Sequence, residues 1–204
     1  MEQKQRIESW FEQRLARFTA SQINKIIGKK EDLTKGALTY IVERVAEHIL
    51  GDNNDNFETM AMVWGTDHEP EAVELYELTT GYNVVKCGFV EYGDHAGGSP
   101  DGLVDDDGII EVKCPYSTKN HILYGLIQED SDIPDDYYWQ MMMNMKITGR
   151  QWCDFVNYDP RCEYSIFIYR IHANETAFET IDTFLELAIQ KKLEYIDRIE
   201  SKKR

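Results

Sequence analysis

Residues 99–115 read Ser99-Pro100-Asp101-Gly102-Leu103-Val104-Asp105-Asp106-Asp107-Gly108-Ile109-Ile110-Glu111-Val112-Lys113-Cys114-Pro115, an acidic turn between two apolar runs. That pattern predicts a β-hairpin. A turn centred on Asp106 pairs Val104 with Gly108, Gly102 with Ile110, and Asp101 with Glu111. Directly opposed residues hold their Cβ atoms roughly 4.5–5.5 Å apart, and two like charges there repel. Strand alternation sends Glu111 and Lys113 to one face and turns Ile110, Val112 and Cys114 toward a core.

Two carboxylates at that separation beside an ammonium suit a hard, oxygen-binding cation such as Mg²⁺. Such an ion polarises a phosphoryl oxygen and lowers the pKa of bound water. The lysine is then placed to orient that water or to neutralise developing negative charge. The bland alternative is a surface hairpin with a cross-strand ion pair. Pro100 inside a strand and glycines at 97, 98 and 102 speak against it. Such residues mark bulges or close backbone approach.

The chain has 204 residues and a net charge of −15, one domain by length, with room for a substantial core. No stretch is apolar enough to span a membrane, and the polar Met1–Arg6 segment does not open a signal peptide. The four cysteines (87, 114, 153 and 162) form no CxxC pair, which disfavours zinc and dithiol chemistry and fits a reducing cytoplasm. An acidic protein is a poor match for the phosphates of DNA, but the acid is localised. Residues 1–48 carry +2, residues 49–140 carry −17, and residues 141–204 balance. Any DNA path is therefore local and narrow.

Periodicity predicts helices over 4–17, from Thr19-Ala20-Ser21 to Ile27, and over 34–50, 60–80, 119–126, 134–148 and 175–202. It predicts strands over 83–92, 98–104, 109–114, 151–158 and 163–171, with a loop over 51–56. Helices, then a hairpin-rich sheet, then helix–strand–strand–helix make an α/β sandwich. The methionines at 141–143 and 145 are expected in its core.

Pro100-Asp101, a spacer and Glu111-Val112-Lys113 resemble the PD-(D/E)xK nuclease signature. The longer Ser99-Pro100-Asp101-Gly102 … Glu111-Val112-Lys113-Cys114-Pro115 resembles the lambda exonuclease and YqaJ-like viral recombinase family. Ordered matches run from Trp10 to Pro160, while the C-terminal helix is alike only in class. The resemblance implies a restriction-endonuclease-like core, a central mixed sheet flanked by helices, with an N-terminal helical addition. It implies a 5′-to-3′ exonuclease that reduces one strand of duplex DNA to mononucleotides and leaves a 3′ overhang for recombination by single-strand annealing.

Carried over residue by residue, the resemblance gives Asp101, Glu111, the Val112 carbonyl and Glu69 as metal ligands. Glu69 follows the Trp64-Gly65 pair, among acids that otherwise read as a solvated helix face. Lys113 and Gln140 would serve the attacking water. Arg14, Ser21 and Ser99 would hold the terminal 5′-phosphate, where a guanidinium and hydroxyls are apt donors; read alone, Ser21 is an ordinary N-cap. Lys119 and Met62 would touch DNA, and Lys29 and Lys30 are further candidate contacts. His68, a lone histidine among carboxylates, is left out. Mg²⁺, replaceable by Mn²⁺, a ring-shaped homotrimer, duplex DNA ends and a strand-annealing partner protein complete the expectation. The rivals are a junction, flap or endonuclease on the same core, and a non-catalytic DNA-binding module.

Overall fold

The computed structural model describes residues 8–29, 32–52 and 59–203. The order is α1 (Glu8–Arg14), β1 (Phe18–Thr19), a 3₁₀ turn (Ala20–Lys25), α2 (Lys35–Leu50), α3 (Met60–Thr80), β2 (Val84–Val85), β3 (Val90–Tyr92) and β4 (Ala96–Gly98). There follow β5 (Gly102–Val104), β6 (Gly108–Lys113), α4 (Thr118–Gly125), α5 (Asp135–Thr148), β7 (Trp152–Tyr158), β8 (Ile166–His172) and α6 (Glu175–Glu200). The long helices begin where a side chain satisfies an orphan amide: Thr34 accepts from Ala37, Thr59 from Met62 and Asn174 from Ala177. No helix among the described residues is long and apolar enough to cross a membrane.

The main sheet runs β2-β5-β6-β7-β8, with β6 and β7 parallel and every other pair antiparallel. The hairpin pairs Gly102 with Ile110, Leu103 with Ile109 and Val104 with Gly108, the register that a turn at Asp106 dictates. Apolar layers cover both faces, as a central parallel pair requires. Ile109, Cys153, Phe155 and Ile171 pack with α5 and α6, and Met141–Met143 and Met145 are buried in that layer. Val104, Ile110, Val112, Cys114 and Val156 pack against Ala72 and Tyr76 of α3. Glu111 therefore lies on a face that is itself covered, and it is only 1% exposed.

Four predicted elements come out differently, the first being the short helix expected through Ile27, which is the 3₁₀ turn Ala20–Lys25. The strand expected over 83–92 is two, β2 in the main sheet and β3 in a small sheet ordered β1-β4-β3. The strand expected over 98–104 breaks at Ser99-Pro100-Asp101 into β4 and β5, where proline has no amide to offer a ladder. A Cβ on Gly98 would come within 2.3 Å of Asn144 Oδ1, so glycine lets β4 lie close against α5. The first helix ends at Arg14 rather than 17, because Ala16 takes φ 56° and turns the chain into β1. The start of that helix, part of the 51–56 loop and Lys30 lie outside the described residues.

Candidate active site

A cleft of about 840 Å³ opens beside the end of β6. Trp10, Arg14, Ser21, Met62, Glu69, Ser99, Asp101, Glu111, Val112, Lys113 and Gln140 all line it. Lys119 does not; it is exposed on α4, although its neighbour Asn120 lines the cleft. Lys29 is exposed elsewhere. His68 is also outside, with its ring stacked 3.8 Å from the Trp64 ring.

The acid limb is built by the sheet. Asp101 sits one residue before the ladder begins, and its Oδ2 accepts from the Val112 amide at 2.7 Å. That bond pins the carboxylate beside the β6 backbone, across from Glu111. Glu111 Oε1 accepts from Lys113 Nζ at 2.5 Å and from Gln140 Nε2 at 2.6 Å. Its other oxygen, Oε2, is buried without a hydrogen-bond partner. A buried orphan acceptor is rare because its desolvation is left uncompensated.

The electrostatics follow from this lopsided arrangement. Burial pushes the Glu111 carboxyl up to about 8; the Lys113 ammonium opposes that shift, and the charges of Asp101 and Glu69 add to it. Burial also works against the Lys113 charge, but Glu111 and Asp101 outweigh it and hold the ammonium protonated well into alkaline pH. The same Nζ lies 4.8 Å from the Tyr137 ring centroid, a cation–π contact. Tyr137 and Gln140 are three apart on α5 and share a helix face. That spacing was available in the sequence and would have drawn Tyr137 into the site.

The donor set of Asp101 and Glu111 is hard oxygen, and the bare Oε2 fits a small divalent cation bound by one or two carboxylates. Among the described residues no three His, Cys, Asp or Glu side chains are grouped closely enough to hold a metal. Glu69 lines the same cleft from α3 without closing such a group.

The second limb is carried by the small sheet. β1 and β4 run parallel with Phe18 beside Ala96 and Thr19 beside Gly97. Two residues beyond that pairing come Ser21, in the 3₁₀ turn, and Ser99, in the break that follows β4. Trp10 Nε1 donates to Ser99 Oγ at 2.9 Å, and an Arg14 guanidinium nitrogen donates to Ser21 Oγ at 3.4 Å. The Arg14 guanidinium lies 4.2 Å from the Trp10 ring centroid. Because Ser99 accepts from the indole, its own O–H remains a donor for an anion in the cleft. Ser21 is not the helix cap; Thr19 holds that position, and no side chain caps the turn. Trp10, read from sequence only as part of a matching segment, thus ties α1 to Ser99 across 89 residues and braces the second limb.

The wall beyond Cys114 is held by a buried acid that sequence reasoning left without a role. Asp159 accepts from Thr118 Oγ1 and from the backbone and side chain of Arg161. Arg161 also donates to the Tyr116 carbonyl at 3.0 Å and lies 4.4 Å from the Trp64 ring centroid.

The model of the YqaJ-like viral recombinase domain matches residues 9–151. The fold is similar to the crystal structure of an alkaline exonuclease (LHK-Exo) from Laribacter hongkongensis, with a TM-score of 0.85 and 32% identity over 96% of this chain and 97% of that one. The structure of LHK-Exo in complex with dAMP agrees to the same extent. A phage related exonuclease from Haemophilus somnus 129PT shares the fold, with a TM-score of 0.74 and 20% identity over 90% of this chain and 96% of that one. Among curated proteins none matches. With the family model spanning more than half of its residues, the chain belongs to the YqaJ-like viral recombinase family.

Proposed function

We propose that this chain is a Mg²⁺-dependent 5′-to-3′ exonuclease of duplex DNA, releasing mononucleotides and leaving a 3′ overhang for recombination by single-strand annealing. The observation that carries the reading is Glu111: buried, held at Oε1 by Lys113 and Gln140, bare at Oε2, and in one cleft with Arg14, Ser21 and Ser99. The crystal complex of LHK-Exo with dAMP, a mononucleotide, supports the product class.

Asp101, Glu111 and the Val112 carbonyl would hold the ion, with Glu69 joining them from α3; Mn²⁺ would substitute. Bound there, Mg²⁺ supplies Lewis acidity toward a phosphoryl oxygen and acidifies water. The protein does the rest. Gln140 and Lys113 fix the rotamer of Glu111 through Oε1. Lys113, kept cationic by its acidic neighbours, neutralises charge developing on the phosphoryl oxygens rather than taking a proton. Arg14 offers a planar fork to the terminal phosphate, and the hydroxyls of Ser21, in the 3₁₀ turn, and Ser99, just past β4, add donors. Met62, half exposed at the cleft, would meet the DNA end, and Lys119 would meet backbone beyond it. By resemblance the working form is a homotrimeric ring around DNA, acting in the cytoplasm of a bacterial or phage-infected cell with a strand-annealing partner protein.

Linear duplexes labelled at the 5′ or the 3′ end, with and without 5′-phosphate, test this in the presence of Mg²⁺. Early release of the 5′ label, faster from phosphorylated ends, is the expected result. Early loss of the 3′ label would overturn the polarity, and equal rates on closed circles and linear duplex would overturn the exonuclease reading.

A further inference from the structure

The six residues joining Arg14 to Ser21 carry an unusual investment of buried polar groups. Ala16 adopts φ 56°, a left-handed conformation that is costly for a non-glycine residue and persists only where its surroundings over-determine it. Both ends of Ala16 are gripped. Its amide donates to Glu47 Oε2 at 2.8 Å, and its carbonyl accepts from Lys192 Nζ. Glu47 is 6% exposed and Lys192 only 3%. Two side chains that rarely enter a protein interior thus converge on the two peptide groups flanking one strained residue.

The grip continues along α2. Arg44 donates to the Arg17 carbonyl at 3.5 Å and to Glu47 Oε1 at 2.6 Å, and the Tyr40 hydroxyl accepts from the Thr19 amide at 3.2 Å. Positions 40, 44 and 47 fall on one helix face. That face meets backbone groups in the order 19, 17, 16, so α2 reads the connector from end to end. This network terminates on the main chain between two residues of the second limb. β1, which the bend launches, pairs in parallel with β4 and runs directly into the 3₁₀ turn that carries Ser21.

We infer that Glu47 and Lys192, with Tyr40 and Arg44, are positioning residues that set the spacing of Arg14 and Ser21 and so determine how strongly a 5′-phosphorylated end is preferred. The inference rests on the end-binding reading above. None of the four lines the cleft. They act through the Leu15–Thr19 backbone, where displacement by about 1 Å is enough to change a rate many-fold.

The test compares kcat and KM on linear duplexes with 5′-phosphate or 5′-hydroxyl ends, in Mg²⁺, for wild type, Glu47→Ala, Glu47→Gln, Lys192→Met, Tyr40→Phe and Arg14→Ala, with rates expressed per folded molecule. Glu47→Ala and Lys192→Met are expected to lower the phosphate preference by about tenfold, mainly through KM on phosphorylated ends, and to leave 5′-hydroxyl ends within about twofold. Glu47→Gln, which keeps an oxygen for the Ala16 amide, should restore most of the preference. Tyr40→Phe removes one hydroxyl only, and serves if the other variants fail to fold; it should produce a smaller loss of the same kind. Equal losses on both ends, or an unchanged preference in Glu47→Ala (in Tyr40→Phe if that protein does not fold), would overturn the inference. If Arg14→Ala lowers the preference and the Glu47 and Tyr40 variants do not, the positioning role alone fails. If Arg14→Ala also leaves it unchanged, the end-binding reading has failed and the inference falls with it.

Discussion

Glu111 and Asp159 are both buried carboxylates with a cation two residues on, Lys113 in one case and Arg161 in the other, yet they are opposites. Asp159 stands just past β7, and each of its oxygens accepts two hydrogen bonds. Arg161 holds its carboxyl down at about 2. Glu111 crowds two donors onto one oxygen and leaves the other bare, and its carboxyl rises to about 8. The same pairing of acid and cation at the same spacing thus gives a finished structural tie and an unfinished site. Completeness of the hydrogen bonding separates them, not the sequence pattern.

The largest expected effect is on activity. Glu111→Gln should lower the exonuclease rate by roughly 10³-fold, the order lost when one electrostatic element of a site is removed. Asp159→Asn, corrected for folded fraction, should stay within a few-fold. Comparable losses in label release from the two variants would break the contrast.

Stability should move in the opposite sense. Asp159→Asn gives up charge-assisted bonds in a buried setting and should cost about 2 kcal/mol in urea unfolding at pH 7. For Glu111 the folded pKa lies above the unfolded value, so its favourable contribution is complete below about pH 4.5 and is lost as pH rises through about 8. Metal-free Glu111→Gln should therefore lose less stability than wild type as pH rises from about 5 to about 8 in urea unfolding. An equally steep loss in the variant would refute the burial argument.

The acidic end of the pH profile sharpens the contrast further. Asp159 has a depressed folded pKa, so its contribution is present above about pH 4 and fades as pH falls toward 2. Asp159→Asn should flatten that part of the stability curve measured by circular dichroism, and Glu111→Gln should leave it. The smallest effect concerns the proposed ion. Mg²⁺ must displace the proton of Glu111, so the rise in Tm on adding Mg²⁺ should be greater at pH 8 than at pH 6. Equal shifts in scanning fluorimetry would count against Glu111 as a ligand.

Legibility in the sequence tracked locality. The hairpin register could be read because its turn and both strands lie within a few residues, so Asp106 alone fixes Gly102 beside Ile110. Pro100 signalled a bulge or close backbone approach within one strand, but the outcome, two strands in two sheets, depends on β1 and β2 arriving from elsewhere. The early end of α1 was invisible for the same reason: the bend at Ala16 is held by Glu47 and by Lys192, which is 176 residues away. Asp101, Glu111 and Lys113 were evident as chemistry, whereas Trp10 gained a role only when Ser99 came within 2.9 Å of it. Glu69 lines the cleft, but that the three acids stop short of a closed cluster depends on how α3 packs over the sheet, which no local pattern encodes.

The parallel pairing of β6 with β7 has a kinetic consequence. The β5–β6 hairpin is closed by a short turn and can form in microseconds. Its parallel neighbour follows only after α4 and α5 have been traversed, and contacts of that sequence separation form slowly. Asp101 and Glu111 are thus brought opposite each other while water still surrounds them. The repulsion between them becomes severe only when β7 and α5 close over the hairpin. A cation bound to the open hairpin would ease that last step, so refolding should quicken in Mg²⁺ more than unfolding slows.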